Sequence, residues 1–397
     1  MQYDFSTAPN RRGTGSTKWD AMLKVNPNLP KNVIPFSVAD MEFPNPQPML
    51  EGMAEFAGHA VYGYTGPTQA YYDAVLHFMR ERHHWDIQKD WIVTSPGVVP
   101  ALFSLVKAFS QPGDGVIIMR PVYYPFFMAI EQTGRTLCNV PLIEQDGHYS
   151  MDFNALEAAA RQPENKLMIL CSPHNPVGRV WTRAELEQLI SICNRNGVMV
   201  ISDEIHFDFV FPGHQHTVLA TLSEEAAQNN VFCTAPSKTF NLGGVQVSNI
   251  IIPNESLRRR FLDYLKSTGM IMLNLFSYKI CELAYNRCGA WYEELMQVLD
   301  ENRRLMAAYI SEHIPQIKVV PLEGTYLQWL NCRALGMRGK ELETFMQEKA
   351  QLFFDEGSMF GPEGDGFERW NLACPTRYIQ EGLERLRAAV AALPAQR

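Results

Sequence analysis

Val198-Met199-Val200-Ile201-Ser202-Asp203-Glu204-Ile205-His206 is an apolar, β-branched run that ends abruptly on two carboxylates and a histidine. A continuous run of this kind is the pattern of a strand covered on both faces, with its polar end emerging where a ligand can meet it. A carboxylate closing such a strand is costly to bury unless something cationic faces it; the plainer reading is a helix N-cap. The same unit recurs on either side. Upstream, residues 166–170 run into His174-Asn175-Pro176-Val177-Gly178; downstream, residues 231–234 run into Ser237-Lys238-Thr239-Phe240-Asn241-Leu242-Gly243-Gly244. Further runs at 91–94, 115–119, 136–140 and 249–252 bring the candidate strands to seven. Helical spacing separates several of them, as in Arg183–Arg195 after Thr182, a good N-cap. Strands alternating with helices predict an α/β fold with a mainly parallel sheet and crossover connections.

After Cys288 the rhythm changes. Trp291, Leu295, Val298, Leu299, Asn302, Leu305, Tyr309 and Ile310 recur at helical spacing and predict one long amphipathic helix. Residues 318–320 and 326–330, separated by Gly324, read as a hairpin, and Ile379, Leu383, Leu386 and Val390 line a final helix. This is a second, smaller two-layer unit. The first 47 residues are rich in Pro, Gly and Asn and read either as an arm or as part of that unit. The division expected is a large domain at 48–288 and a small domain built from 1–47 and 289–397.

The 397 residues carry 35 Lys+Arg against 43 Asp+Glu, a net charge of −8 that argues against nucleic acid. With 46% hydrophobic and 20% charged residues the chain is neither disordered nor fibrous. Its eight cysteines show no C-x-x-C and no ligand-like pairing with histidine, which favours a reduced compartment. No basic and apolar leader opens the sequence, and the longest uncharged stretch, 91–106, is broken by Pro96 and Pro100. A cytoplasmic protein without membrane contact is expected. His214 and His216 sit in a Pro-Gly loop without an adjacent cysteine or acid, and read as loop polar residues rather than metal ligands.

In open parallel sheets ligands bind beyond the carboxyl ends of the strands, and four polar signals fall there. Ser95-Pro96-Gly97-Val98 is a small turn feeding a helix N-terminus, suited to a phosphate but also to any βα connection. Asn175-Pro176 is a turn former. Asp203 closes its strand. Lys238, between a buried strand and a glycine-rich turn, is a candidate for a desolvated, reactive amine. Ser237-Lys238-Thr239 lacks the G-x-x-x-x-G of a P-loop, Gly13–Lys18 follows no strand, and no G-x-G-x-x-G follows one either.

Asn175, Asp203 and Lys238, each at a strand end, suggest one site. With Arg11-Arg12-Gly13, Lys18-Trp19-Asp20, Val38-Ala39-Asp40-Met41, Tyr62-Gly63-Tyr64, Asp203-Glu204-Ile205-His206 and Ser237-Lys238-Thr239-Phe240-Asn241, the chain resembles a fold-type I pyridoxal-phosphate enzyme of the class I/II aminotransferase superfamily over nearly its whole length. Within it the motifs are most similar to the MalY/PatB branch of cystathionine or cysteine-S-conjugate β-lyases. The resemblance implies that Lys238 carries pyridoxal 5'-phosphate covalently and then removes the substrate Cα proton. It implies that Asp203 keeps the pyridine nitrogen protonated, Asn175 orients the ring through O3′, and Tyr123 stacks on its face. Gly97, Val98 and Ser237 should hold the phosphate, and Tyr64 should reach the phosphate of the neighbouring subunit of a homodimer. Arg369, in Phe367-Glu368-Arg369-Trp370-Asn371, should grip the α-carboxylate of the amino-acid substrate.

Two departures favour the lyase branch. His206 stands where many aminotransferases have a tyrosine, and favours a cofactor contact; Gln246 stands where they often have a phosphate-binding arginine. The reaction implied is cleavage of an S-substituted cysteine to a thiol, pyruvate and ammonia. The rivals are transamination, which needs the same lysine, aspartate and arginine, and a pyridoxal-phosphate-binding regulator, against which the absence of a helix-turn-helix pattern argues.

Overall fold

The computed structural model describes residues 1–394. Seven strands form one sheet: β1 (Ile92–Ser95), β2 (Gly115–Ile118), β3 (Thr136–Asn139), β4 (Asn165–Cys171), β5 (Met199–Asp203), β6 (Val231–Thr234) and β7 (Ser248–Ile251), in the spatial order β1-β7-β6-β5-β4-β2-β3. The pairs among β2, β3, β4, β5 and β6 are parallel; β7 runs antiparallel to both β1 and β6. Each expected strand is present, with bounds shifted by a residue or two.

The uninterrupted apolar runs have a simple cause. Along each strand alternate side chains enter different cores: Ile117, Met168, Leu170, Val200 and Phe232 pack on one face, and Val116, Ile118, Leu167, Ile169, Ile201 and Cys233 on the other. Fully burying one such aliphatic side chain stabilises the fold by about 1.5–3 kcal/mol. β3, at the sheet edge, is the one strand of this sheet with no buried position. The register aligns the carboxyl ends, since Cys171 opposes Asp203 and Asp203 opposes Cys233. The crossover helix Arg183–Arg195 starts in the expected place, with a capping box between Thr182 and Glu185.

A second sheet of four strands, β8 (Lys318–Val319), β9 (Leu327–Asn331), β10 (Asp355–Glu356) and β11 (Phe367–Asn371), is antiparallel in the order β8-β9-β11-β10. The long helix Gly289–His313 and the final helix Thr376–Ala391 accompany it. Residues 1–47 are not a free arm. Ile34–Pro35 pairs in parallel with Leu352–Phe353, the Asn371 N–H donates to Phe36 O at 2.9 Å, and Phe5 packs 5.4 Å from Trp291. Among the described residues no helix is long and apolar enough to cross a membrane.

Candidate active site

The carboxyl ends of the large sheet surround a cavity of about 240 Å³, whose walls include Gly97, Val98, Tyr123, Asn175, Asp203, His206, Ser237 and Lys238. Each reaches it for a local reason. Gly97 has φ +105°, a conformation open to glycine, and caps the helix Val98–Phe109, whose first N–H groups therefore lack intrahelical partners. Tyr123 is held beside Asn175 because its N–H donates to Asn175 O at 3.1 Å. Asp203 ends β5, and Lys238 lies on the single helical turn Pro236–Thr239 that follows β6.

Lys238 Nζ donates to the carbonyl of Ala39 at 2.8 Å. Burial, reinforced by the nearby Arg369 guanidinium, pulls the amine down to about 8. The Ala39 carbonyl also accepts from Tyr326 Oη at 2.9 Å, and the loop bearing it is pinned from several directions. Lys18 Nζ, buried, lies 2.7 Å from Asp40 O and 3.0 Å from Asp40 Oδ1. Arg11 bonds Asp40 at 2.6 Å and Glu42 at 2.9 Å, and Trp19 Nε1 donates to Glu42 Oε2 at 2.9 Å. Asn241 exchanges two hydrogen bonds with the Met41 backbone, at 2.9 and 3.1 Å. Asn371 Nδ2 donates to the carbonyls of Val38 and Asp40, both at 2.7 Å. The motifs at 11–13, 18–20 and 38–41 are thus one structural unit, a partly buried charge cluster that fixes a carbonyl against the lysine.

Asp203 accepts from the Ile205 N–H at 3.1 Å. Burial raises its carboxyl to about 7, against the opposing pull of that hydrogen bond and of Lys238. His206 is buried, and burial together with Lys238 and Arg369 holds its imidazole well below the usual range, so the ring is neutral. Its Nδ1 is buried without a hydrogen-bond partner. Arg369, on β11 and buried, donates from Nη1 to Asn175 Oδ1 at 3.0 Å and pairs through Nη2 with Asp355, its cross-strand neighbour on β10. It is one hydrogen bond removed from the cavity rather than in its wall.

Tyr64 is not part of this cluster: it is 99% exposed, with Tyr62 and Val61 also exposed beside it. Gln246 does line the cavity. One expectation needs correcting. His216 is not a simple loop residue without an acid, because its Nε2 lies 2.9 Å from the fully buried Glu204. The chain turns back after Phe211 and carries the histidine under the strand end; His214 stays at the surface, 3.9 Å from Glu323. No group of metal-binding geometry is present among the described residues. Sequence reasoning missed Ala39, which acts through a backbone atom, and Asp355, for which no motif spoke.

The profile of the family described as "Aminotransferase class I and II" matches residues 31–386. The chain belongs to that family. Among curated members it is 40% identical to "Cystathionine beta-lyase PatB" of Bacillus subtilis over 98% of this chain and 100% of that one. It is 32% identical to "Protein MalY" of Escherichia coli with the same coverages. Among solved structures it superposes on cystalysin from Treponema denticola, which contains a pyridoxal 5'-phosphate cofactor, with a TM-score of 0.97 and 48% identity over 99% of this chain and 100% of that one. The α/β architecture expected, a mainly parallel seven-stranded sheet flanked by helices, is the one observed, and the chain superposes on cystalysin over nearly its whole length.

Proposed function

We propose that this member of the aminotransferase class I and II family is a pyridoxal-phosphate-dependent carbon–sulfur β-lyase. Its substrates on this reading are cystathionine or other S-substituted cysteines, released as a thiol, pyruvate and ammonia. The observation that carries the reading is the convergence of the Lys238 amine, the buried Asp203 carboxyl and Asn175 in one cavity, with the Arg369 guanidinium one hydrogen bond away. The similarity to cystathionine β-lyase PatB supports the choice of C–S cleavage over transamination.

The residues fit the cofactor. Asp203 is a buried carboxyl whose raised pKa a protonated ring nitrogen would reverse, and the orphaned His206 Nδ1 is a buried polar atom awaiting a partner. Gly97, Val98 and Ser237 would hold the phosphate, Tyr123 the ring face, and Asn175 with His206 the ring hydroxyl. Pyridoxal phosphate, when bound, supplies an electron sink for negative charge developing at the substrate Cα. The chain supplies the rest. Arg369 binds the substrate carboxylate and so sets the orientation of the Cα–H bond. Lys238 Nζ, steered by the Ala39 carbonyl, takes the Cα proton. The apolar walls at Ile205 and Val247 keep water from the reacting centre.

The remaining parts of the reading are a cytoplasmic homodimer, a large unit at 48–288 and a small unit at 1–47 and 289–397. Tyr64 would reach the partner's phosphate, a reading supported by its near-complete exposure in the single chain. Mixing Lys238→Ala protein with Tyr64→Ala protein then restores activity that neither possesses, measured as pyruvate release after subunit exchange; no recovery would reject the shared site.

Incubation with cystathionine is expected to yield homocysteine and pyruvate together. A keto acid formed in proportion to a second amino acid, without homocysteine, would sink the lyase reading. Replacing Arg369 with alanine is expected to raise KM for the amino acid about a hundredfold, ~2.8 kcal/mol at 1.4 kcal/mol per decade, because a bidentate charge-assisted grip is lost. An unchanged KM rejects the carboxylate role. The neutral amine is the form that reacts with an aldehyde, so covalent capture of pyridoxal phosphate by the apoprotein should accelerate as pH rises towards about 8 and level off above it. An ordinary lysine would keep accelerating to about 10.5.

A further inference from the structure

We propose that Asp208 is a positioning residue for Lys238, acting through the hydroxyl of Thr239; the inference rests on the assignment of Lys238 just made. A single helical turn does not hold its own shape in isolation, since nucleation is the costly part of helix formation. The turn Pro236–Thr239 therefore takes its orientation from contacts outside itself. Its cavity side carries Ser237 and Lys238. Thr239 is fully buried, and its Oγ1 donates to Asp208 Oδ2.

Asp208 is buried and takes no part in the proposed reaction. Its other carboxylate oxygen lies 3.0 Å from His83 Nε2 and 3.6 Å from Arg82 Nε, and its backbone carbonyl accepts from Tyr292 Oη. These supports are themselves rigid. The His83 ring stacks on Phe207 at 3.8 Å and 5°, and the Arg82 guanidinium sits 4.1 Å from the Tyr292 ring centre. Burying a carboxylate among such partners is no cheaper than filling the same space with apolar atoms, so packing alone does not account for it.

The arrangement does account for it. Asp203 and Asp208 belong to one continuous segment, the first lining the cavity and the second lying behind it. Lys238 and Thr239 are the matching pair on the facing segment. One hydrogen bond outside the cavity, between Thr239 and Asp208, thus ties together the two segments that carry the Lys238 amine and the Asp203 carboxyl inside it.

The test compares Thr239→Val, which keeps shape and loses the hydroxyl, with Thr239→Ser, which keeps the hydroxyl. Two quantities are read: the rate at which apoprotein captures pyridoxal 5'-phosphate at Lys238, trapped by borohydride and located by peptide mass, and the kcat–KM pair for cystathionine. For Thr239→Val we expect capture and kcat to fall about tenfold each, with KM within about twofold of wild type, and for Thr239→Ser to restore both, as displacement of a reacting group costs rate rather than affinity. Asp208→Asn gives a second route to the same split if Thr239→Val does not fold. Wild-type capture and kcat in a folded Thr239→Val or Asp208→Asn protein would overturn the positioning role. Failure of wild-type protein to be trapped at Lys238 would overturn it together with the lysine assignment.

Discussion

Replacing Lys238 with alanine is expected to lower pyruvate release from cystathionine by at least about 10³-fold, the scale set by loss of a positioned proton-transfer group. No other amine can substitute. Lys18, the other lysine nearby, is committed to Asp40 and Glu42, and Arg369 remains a guanidinium at any pH the protein survives. The variant should fold at least as well as wild type. In the cofactor-free protein the Lys238 amine titrates at about 8, below its ordinary 10.5. Between those values the unfolded chain binds more protons than the folded one, so wild-type stability rises with pH across the window. Below about 8 the folded state bears the full cost of holding a charged lysine there, and this is where Lys238→Ala gains most relative to wild type. Above the ordinary value the difference vanishes. Denaturant midpoints of the two apoproteins at several pH values check the sign; a gap that widens with rising pH contradicts it.

Lys18→Met should be the most destabilising single change near the site, by roughly 3–5 kcal/mol, because it leaves Asp40 and the buried Glu42 short of their cation. Burial pushes the Asp40 carboxyl up, and Lys18 and Arg11 together more than reverse this, so it is lowered overall. Without Lys18 one of the two opposing cations is gone and the carboxyl shifts upward. The loop carrying Ala39 then loses one of its anchors, and activity falls along with stability. Adding Glu42→Gln to Lys18→Met should recover part of the loss, since an uncompensated charge is removed. Urea unfolding of the single and double variants measures the coupling; strictly additive losses would show that the cluster does not act as a unit.

The large sheet was legible because its strands are covered on both faces, so their apolar runs stand out without needing a period. Asp203 and Lys238 were legible because each puts charge directly after such a run. The site's other half was harder to read. Ala39 contributes only a carbonyl, which every residue possesses, and its placement depends on Lys18, Asn241 and Asn371, far apart in the chain. Asp355 sits on a two-residue strand whose pairing with β11, rather than any periodicity, brings it to Arg369. His216 finds Glu204 only because the chain reverses between them. Local pattern identifies groups that a single element positions; it is silent on those that two remote elements position together.

The hydrogen bonds from Asn371 to the carbonyls on either side of Ala39 also constrain when the protein becomes competent during its synthesis. Asn371 lies 133 residues after Lys238, from 371 − 238, and is made later. A nascent chain can therefore complete much of the large sheet and display the lysine while the carbonyl that steers it still lacks two of the hydrogen bonds that hold its loop. Full fixation of the carbonyl that steers Lys238 thus waits on a residue made well after the lysine itself.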